Sequence, residues 1–143
     1  MNHFKRIAAL VLSVMLVLAL TACARSTAPK NAEPIDIQNG DTVGTGATAM
    51  AVEVTDASGN KTAFEVRTDA KTVGEALQEL NIISGEESAY GLYIKQVLGI
   101  TADYDKDGTY WAFYIDGQYA VTGADMTNIQ PGSVYGFVVE KMQ

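Results

Sequence analysis

Histidine and cysteine are almost absent from this 143-residue chain, which contains one residue of each type. The histidine is His3 and the cysteine is Cys23, so both lie near the N-terminus. Histidine-based catalytic triads, zinc sites built from histidine and cysteine, and redox dithiols all need more of these residues. An internal disulfide is excluded because it needs two cysteines. We therefore expect a protein that is not an enzyme and that has no metal site of this kind.

Basic residues are also few, with 10 lysines and arginines against 17 aspartates and glutamates and a formal net charge of −7. Binding to phosphate backbones relies on clustered basic residues, so nucleic acid is not an expected partner. An acidic surface also gives no electrostatic attraction to anionic lipid headgroups. Any attachment to a membrane must therefore come from apolar groups.

Long apolar runs are absent except near the N-terminus. Residues 7–20 contain one serine among apolar side chains and follow Lys5 and Arg6. Fourteen residues are fewer than the ~20 that a membrane-spanning helix needs. A basic start followed by a short apolar core is typical of a signal peptide.

The residues after this run indicate lipid attachment. Thr21 and Ala22 are small residues that precede Cys23, which is the processing signal of a bacterial lipoprotein. We predict that residues 1–22 are a signal peptide and that the Cys23 thiol carries the lipid, with fatty acids such as palmitate. Two or more acyl chains give stable anchoring, here on the extracytoplasmic face of a bacterial membrane. The alternative is an ordinary secretory signal with a chance cysteine.

The sequence after Cys23 changes character near residue 48. Residues 23–47 are small and polar, with Ile35, Ile37 and Val43 as the sizeable apolar residues. Such a composition predicts a flexible linker that follows the lipidated cysteine. Residues 48–143 alternate regularly and are numerous enough for one core, so we predict a single domain there.

The first half of this domain reads as a hairpin followed by a helix. Residues 50–54 and 63–67 alternate in polarity around turn-forming residues, which predicts two paired strands. Thr72 and Glu75 then have the spacing of a capping box. Apolar residues follow at helical spacing, and the pattern predicts a helix over about residues 72–81.

The second half reads as further strands. Residues 85–88 interrupt the pattern, and strand character returns in residues 89–100. The Asp116-Gly117 dipeptide favours a tight turn between two more strands. The last strand is apolar on both faces and is expected in the sheet centre. The strands are predicted at residues 109–115, 118–122 and 133–140. Together these elements predict an α+β fold, a β-grasp-like roll with a mostly antiparallel or mixed sheet and one helix.

Four stretches of the predicted domain share a pattern with a known family. They are residues 72–77 (TVGEAL), 90–99 (YGLYIKQVLG), 109–113 (TYWAF) and 116–125, which begins with Asp-Gly and ends with Gly-Ala-Asp. This combination resembles the C-terminal domain of the transcobalamin and intrinsic factor family, and the bacterial surface domains grouped with it. The resemblance covers residues 50–141 and implies a β-grasp fold. It also implies cobalamin or another corrinoid as a bound ligand, which the animal proteins enclose with a large helical domain that this chain lacks.

The aromatic residues give candidates for a binding surface. In the strand that contains the Tyr-Trp motif, Tyr110 and Tyr114 point to one face, while Trp111, Phe113 and Ile115 point to the other. The second set is more apolar and is assigned to the core, with Trp111 as a ligand platform the alternative. Tyrosines suit either an exposed sheet face or a flat ligand. The resemblance implies that the following hairpin touches the corrin through its backbone and small side chains, although a hairpin without a ligand is the alternative. The candidate ligand-binding residues are Tyr110, Tyr114, Gly117, Gln118, Tyr119, Val121, Thr122 and Gly123.

Three aspartates resemble the first half of a calcium loop. Asp103, Asp105 and Asp107 alternate and precede Gly108, as calcium ligands do. The position that should hold a bidentate glutamate is Tyr114, however, and the following residues read as a strand. An acidic turn between two strands is therefore favoured over a calcium site.

These observations predict a lipid-anchored, extracytoplasmic binding module for a small ligand, with a corrinoid as the candidate. The alternative is a structural or adhesive cell-surface module that binds protein or glycan. The expected partners are the membrane, through the N-terminal lipid, a small molecule, and a transporter or another surface protein.

Overall fold

A mixed six-stranded sheet dominates the structure, a computed structural model that describes residues 36–142. Its strands are β1 (Thr42–Gly44), β2 (Thr48–Thr55), β3 (Lys61–Thr68), β7 (Thr109–Ile115), β8 (Gln118–Tyr119) and β9 (Val134–Lys141). They lie in the order β1-β3-β2-β9-β7-β8. Strands β1 and β3 pair in parallel, as do β2 and β9, and the other neighbours are antiparallel. The predicted signal peptide, Cys23 and the first part of the predicted linker lie outside the described residues.

A smaller sheet and short helices complete the described part of the chain. The smaller sheet contains β4 (Ile83–Ser88), β5 (Gly91–Val97) and β6 (Ile100–Thr101), in that order. The helices are α1 (Val73–Glu79), α2 (Tyr104–Asp107) and a 3-10 turn at Ala124–Met126. The structure therefore confirms a β-rich α+β fold with a mixed sheet. Helix α1 is the predicted helix, and it ends two residues before the predicted boundary.

The predicted first hairpin forms because its turn supplies its own hydrogen bonds. Asp56 Oδ1 accepts the backbone N–H groups of Ser58 and Asn60 at 2.8 and 2.9 Å. Strands β2 and β3 then pair in register over all eight residues of each. Strand β9 pairs with β2 on one side and with β7 on the other, so the last strand is central as its pattern predicts.

Helix α1 begins at the predicted capping box. Thr72 Oγ1 accepts the Glu75 N–H at 3.2 Å. The Glu75 carboxylate reaches back to accept the Lys71 N–H at 3.1 Å, one residue earlier than in the usual arrangement. The buried residues Val73, Ala76 and Leu77 then face the core with no exposed surface.

Replacing Thr72 with alanine is expected to lower the free energy of unfolding by about 1 kcal/mol, because the Glu75 amide loses its side-chain acceptor. Urea denaturation measures this change. The Thr72→Ser variant keeps an acceptor oxygen and should stay close to the original protein. Equal losses for serine and alanine would show that the hydroxyl is not the stabilising group.

The core lies between α1 and one face of the large sheet. Phe137 in β9 is fully buried, and its ring stacks on Phe113 at 5.1 Å between centroids. Trp111 and Phe113 are 7% and 8% exposed, so the predicted core face of β7 is confirmed for both. Buried strands and helix thus enclose one cluster of apolar side chains.

Residues 36–47 pack against the sheet, whereas the sequence places them in the flexible linker. Ile37 is 7% exposed and belongs to the core cluster. Strand β1 pairs with β3, and Gly44 there has a φ of 79°. A Cβ at Gly44 would lie 2.4 Å from the Arg67 carbonyl oxygen, so glycine permits the close approach. This segment is ordered with few apolar residues because backbone pairing between β1 and β3 also holds it in place.

The sequence pattern predicts an interruption at residues 85–88, but these residues form part of a strand. These residues belong to β4, which pairs antiparallel with β5 through an irregularity between Ser84 and Gly85. Five of the six β4 side chains are exposed, so the strand carries no apolar alternation that a sequence pattern could reveal.

The helices within residues 36–142 are all too short or too polar to cross a membrane.

Candidate functional site

Two adjoining cavities lie beside the β7–β8 hairpin, and Tyr93 and Tyr119 line both. We call the first the hairpin groove. It has a volume of about 330 Å³ and is lined by Leu92, Tyr93, Ile94, Trp111, Phe113 and residues 119–124. We call the second the tyrosine pocket. It has a volume of about 550 Å³ and is lined by Tyr93, Tyr104, Asp105, Tyr110, Tyr119 and Met142.

The hairpin groove has walls from two different elements and an aromatic surface between them. Strand β5 supplies residues 92–94, and the segment after the β7–β8 turn supplies residues 119–124. Trp111 is largely buried in the core, yet part of its surface lines the groove. Its indole Nε1–H donates to the Ile100 carbonyl at 3.3 Å, which fixes the ring. The core interpretation of Trp111 is therefore confirmed, and its role as a ligand platform stays a prediction.

The turn between β7 and β8 positions the second wall of the groove, residues 119–124. Asp116 and Gly117 have φ angles of 51° and 79°, which is the geometry of a tight two-residue turn. The Asp116 carboxylate also accepts the Val134 N–H at 2.8 Å and the Ser133 hydroxyl at 3.0 Å. Strand β8 then ends after two residues, and the chain leaves the sheet to form the groove wall.

Asp125 joins the two walls, and it is not among the binding residues predicted from the sequence. Its Oδ2 atom accepts the Leu92 N–H from β5 at 3.2 Å. A Cβ added at Gly91 or Gly123 would lie 2.7 or 2.5 Å from the Asp125 carboxylate, so both positions leave room for it. Asp125 Oδ1 is buried without a hydrogen-bond partner among the described residues. This carboxylate therefore connects β5 to the loop that forms the other wall.

The hydroxyls of Tyr110 and Tyr114 are already engaged. Tyr110 donates to Glu140 Oε2 at 2.9 Å, and Tyr114 donates to the other oxygen of the same carboxylate. The hydrogen bond to Glu140, together with burial, raises the pKa of Tyr110 to about 12 and also raises the pKa of Tyr114. Both hydroxyls therefore donate to Glu140 and are not free to donate to another group.

The predicted binding residues are distributed over three cavities. Four of them line the hairpin groove, and Tyr110 lines the tyrosine pocket together with Tyr119. Tyr114 and Gly117 line a separate cavity of about 160 Å³, and Gln118 lines none of the three. The four in the hairpin groove are Tyr119, Val121, Thr122 and Gly123. The β5 wall and Tyr104 are not among the predicted binding residues, because tertiary packing brings them to the site.

The aspartates of the calcium-like motif hold a helix turn. Asp103 Oδ1 accepts the Asp105 N–H at 3.2 Å and caps α2, a one-turn helix at the predicted acidic turn. The other Asp103 oxygen lies 3.8 Å from the Lys95 ammonium and 3.5 Å from that of Lys106. Asp107 accepts the Thr109 N–H at 2.9 Å. Within residues 36–142, no three histidine, cysteine or acidic side chains are grouped as a metal site.

Comparisons with known proteins identify a domain family and two similar structures. Residues 70–137 match the family described as a domain of unknown function, DUF4430. A crystal structure of a "putative metal binding protein" from Ruminococcus gnavus ATCC 29149 is 31% identical, with a TM-score of 0.64. The match covers 68% of this chain and 100% of that one.

The second structure is haptocorrin in complex with Cbi, at 20% identity and a TM-score of 0.48. That match covers 67% of this chain and 26% of the haptocorrin chain, so its likeness supports no conclusion about a ligand here. No curated protein matches this chain.

Proposed function

We propose that this chain, which carries a domain of the DUF4430 family, is a lipid-anchored, extracytoplasmic module that binds a small ligand in the hairpin groove. The observation that carries the proposal is the groove itself. Its walls come from separate elements joined by Asp125, and buried aromatic rings lie between them. Small-molecule sites are typically concave and mostly apolar, with a few polar groups that fix orientation.

The ligand that fits the available observations is a corrinoid. The groove offers apolar ring surface from Trp111 and Phe113, and backbone groups near Gly123. A corrinoid has a broad apolar edge and amide arms, which suit such a surface. The described residues group no ligands for a bare metal ion, whereas a corrinoid brings its metal already chelated. The sequence motifs that resemble the transcobalamin and intrinsic factor family support the same class of ligand. They also support a β-grasp arrangement of the domain.

The proposed affinity is modest. A groove of about 330 Å³ covers only part of a corrinoid. The remaining surface stays in water unless another protein covers it, so we expect a dissociation constant on the order of micromolar. A transporter or another surface protein is the proposed partner that receives the ligand. The module itself carries out no chemical step.

Titration of cobinamide and cobalamin tests this function, with binding followed by calorimetry and by quenching of the single tryptophan, Trp111. Val121 is 99% exposed and lines the groove, so Val121→Asp should preserve the fold. We expect this charge to weaken binding about tenfold or more, because an apolar ligand edge would have to desolvate it.

Thr45→Asp is the matched control, since it adds the same charge at an exposed position that lines none of the three cavities. Its affinity should equal that of the original protein. A well-folded protein that binds neither corrinoid at millimolar concentration would contradict the proposal.

The second candidate function is adhesion to protein or glycan. Exposed apolar side chains favour it, because Tyr90 and Met126 are 90% and 57% exposed. A Cβ at Gly91 would lie 3.2 Å from the Met126 side chain, which places Met126 beside the tip of the β4–β5 hairpin. Failure of corrinoid binding, with retained binding to cell-surface material that Tyr90→Ser abolishes, would favour this candidate.

A further inference from the structure

The tyrosine pocket has a different chemistry from the hairpin groove. Four of its six lining residues are tyrosines, and the other two are Asp105 and Met142. The tyrosines are Tyr93 from β5, Tyr104 from α2, Tyr110 from β7 and Tyr119 from β8. Four elements thus converge on one cavity whose lining includes a carboxylate and neither lysine nor arginine.

Aromatic faces carry negative electrostatic potential and attract cations. The protein already contains one such contact, because the Lys95 ammonium lies 5.8 Å from the centre of the Tyr93 ring. Lys95 is held by Glu86 at 2.9 Å and lies 3.8 Å from Asp103. Lys95 does not line the pocket, and its contact is with Tyr93, which leaves the rings of Tyr104, Tyr110 and Tyr119 for another cation.

Negative charge reinforces this potential. Asp105 lines the pocket, and its side chain is exposed beside Tyr104. Glu140 lies behind Tyr110 and accepts its hydroxyl at 2.9 Å. Because that hydroxyl already donates to Glu140, Tyr110 contributes no free hydroxyl donor to the pocket that it lines. An occupant thus meets aromatic rings and a carboxylate.

We propose that the tyrosine pocket binds an organic cation of the quaternary ammonium or N-methylated amine class. Such a cation is weakly hydrated and has few or no N–H groups to satisfy, so it gains from aromatic faces more than a strongly hydrated ammonium does. The pocket volume of about 550 Å³ also leaves space for the rest of a small molecule. This site adjoins the hairpin groove and shares Tyr93 and Tyr119 with it, but the proposal does not depend on corrinoid binding.

The test uses choline and tetramethylammonium as probes, with 3,3-dimethyl-1-butanol as the neutral isostere of choline. The full chain is kept in a neutral glucoside detergent, and binding is followed by calorimetry. We expect saturable binding of both cations with dissociation constants on the order of millimolar, and binding of the neutral isostere at least about tenfold weaker. Equal binding of choline and its isostere would overturn the proposal.

Variants at two lining residues separate the contribution of an aromatic ring to cation binding from that of the carboxylate charge. Tyr104 is 48% exposed, so its replacement should leave the fold intact. Tyr104→Phe keeps the ring and should bind choline as the original protein does, whereas Tyr104→Leu should bind about three- to tenfold more weakly. Asp105→Asn should weaken choline binding and leave the isostere unchanged. Unchanged choline binding in both Tyr104→Leu and Asp105→Asn would overturn the assignment, and the Asp105→Asn result decides alone if Tyr104→Leu does not fold.

Discussion

Replacing Phe137 with alanine is expected to lower the free energy of unfolding by about 3–5 kcal/mol, the range for removing a large buried aromatic side chain. Phe137 has no exposed surface and lies in β9, between β2 and β7. The change leaves a void beside Phe113, whose ring stacks on it at 5.1 Å. Small domains have total stabilities of about 5–15 kcal/mol, so this loss is a large fraction.

Urea denaturation followed by the fluorescence of Trp111 measures the effect, since this residue is the only tryptophan and is largely buried. Tyr90→Ala is the matched control, because it truncates an aromatic side chain that is 90% exposed. The control should change the stability by less than about 0.5 kcal/mol. Similar losses for the two variants would contradict the described core.

Replacing Cys23 with alanine is expected to abolish membrane anchoring. The predicted lipid is attached through the Cys23 thiol, and without it no acyl chain holds the mature protein. The variant should stay uncleaved or appear in the medium. Phase partitioning in a nonionic detergent and incorporation of labelled palmitate measure the change.

Ser26→Ala is the control for this experiment, since it makes an equally small change three residues further along. It should partition with the detergent as the original protein does. If the Cys23→Ala variant stays in the membrane fraction at the original level and mobility, the lipoprotein prediction is wrong.

The elements that the sequence predicts correctly are those with local causes. Thr72 and Glu75 form their hydrogen bonds within one turn, so the start of α1 is visible in the sequence. Asp116 and Gly117 tolerate the positive φ angles that the β7–β8 turn requires. The last strand is rich in apolar residues, as expected of a central strand, and β9 pairs on both sides with one face, Tyr135 and Phe137, fully buried.

The elements that the sequence misses depend on distant partners. Strand β1 has three residues, and its order comes from parallel pairing with β3 about twenty residues away. Strand β4 is exposed along most of its length, so its pairing with β5 leaves no apolar pattern.

The candidate site likewise has parts that are predictable from local sequence and parts that depend on distant contacts. Aromatic and glycine residues of the β7–β8 hairpin indicate one wall of the groove from sequence alone. The opposite wall from β5 and the bridging role of Asp125 require the fold, because the hydrogen bond to Leu92 spans 33 residues. The sequence also presents Tyr114 as a binding residue, whereas its hydroxyl binds Glu140 and its ring lines a different cavity.

Corrinoid binding in the hairpin groove is tested most directly by titrating ¹⁵N-labelled protein with cobinamide and mapping the changes in backbone amide chemical shift. We expect shifts concentrated in residues 92–94, Trp111, Phe113 and residues 119–124, which line the hairpin groove. These shift changes should be absent in the Val121→Asp variant and should persist in the Thr45→Asp variant. No shifts at saturating corrinoid, or shifts concentrated on α1 and the β1–β3 edge, would contradict it.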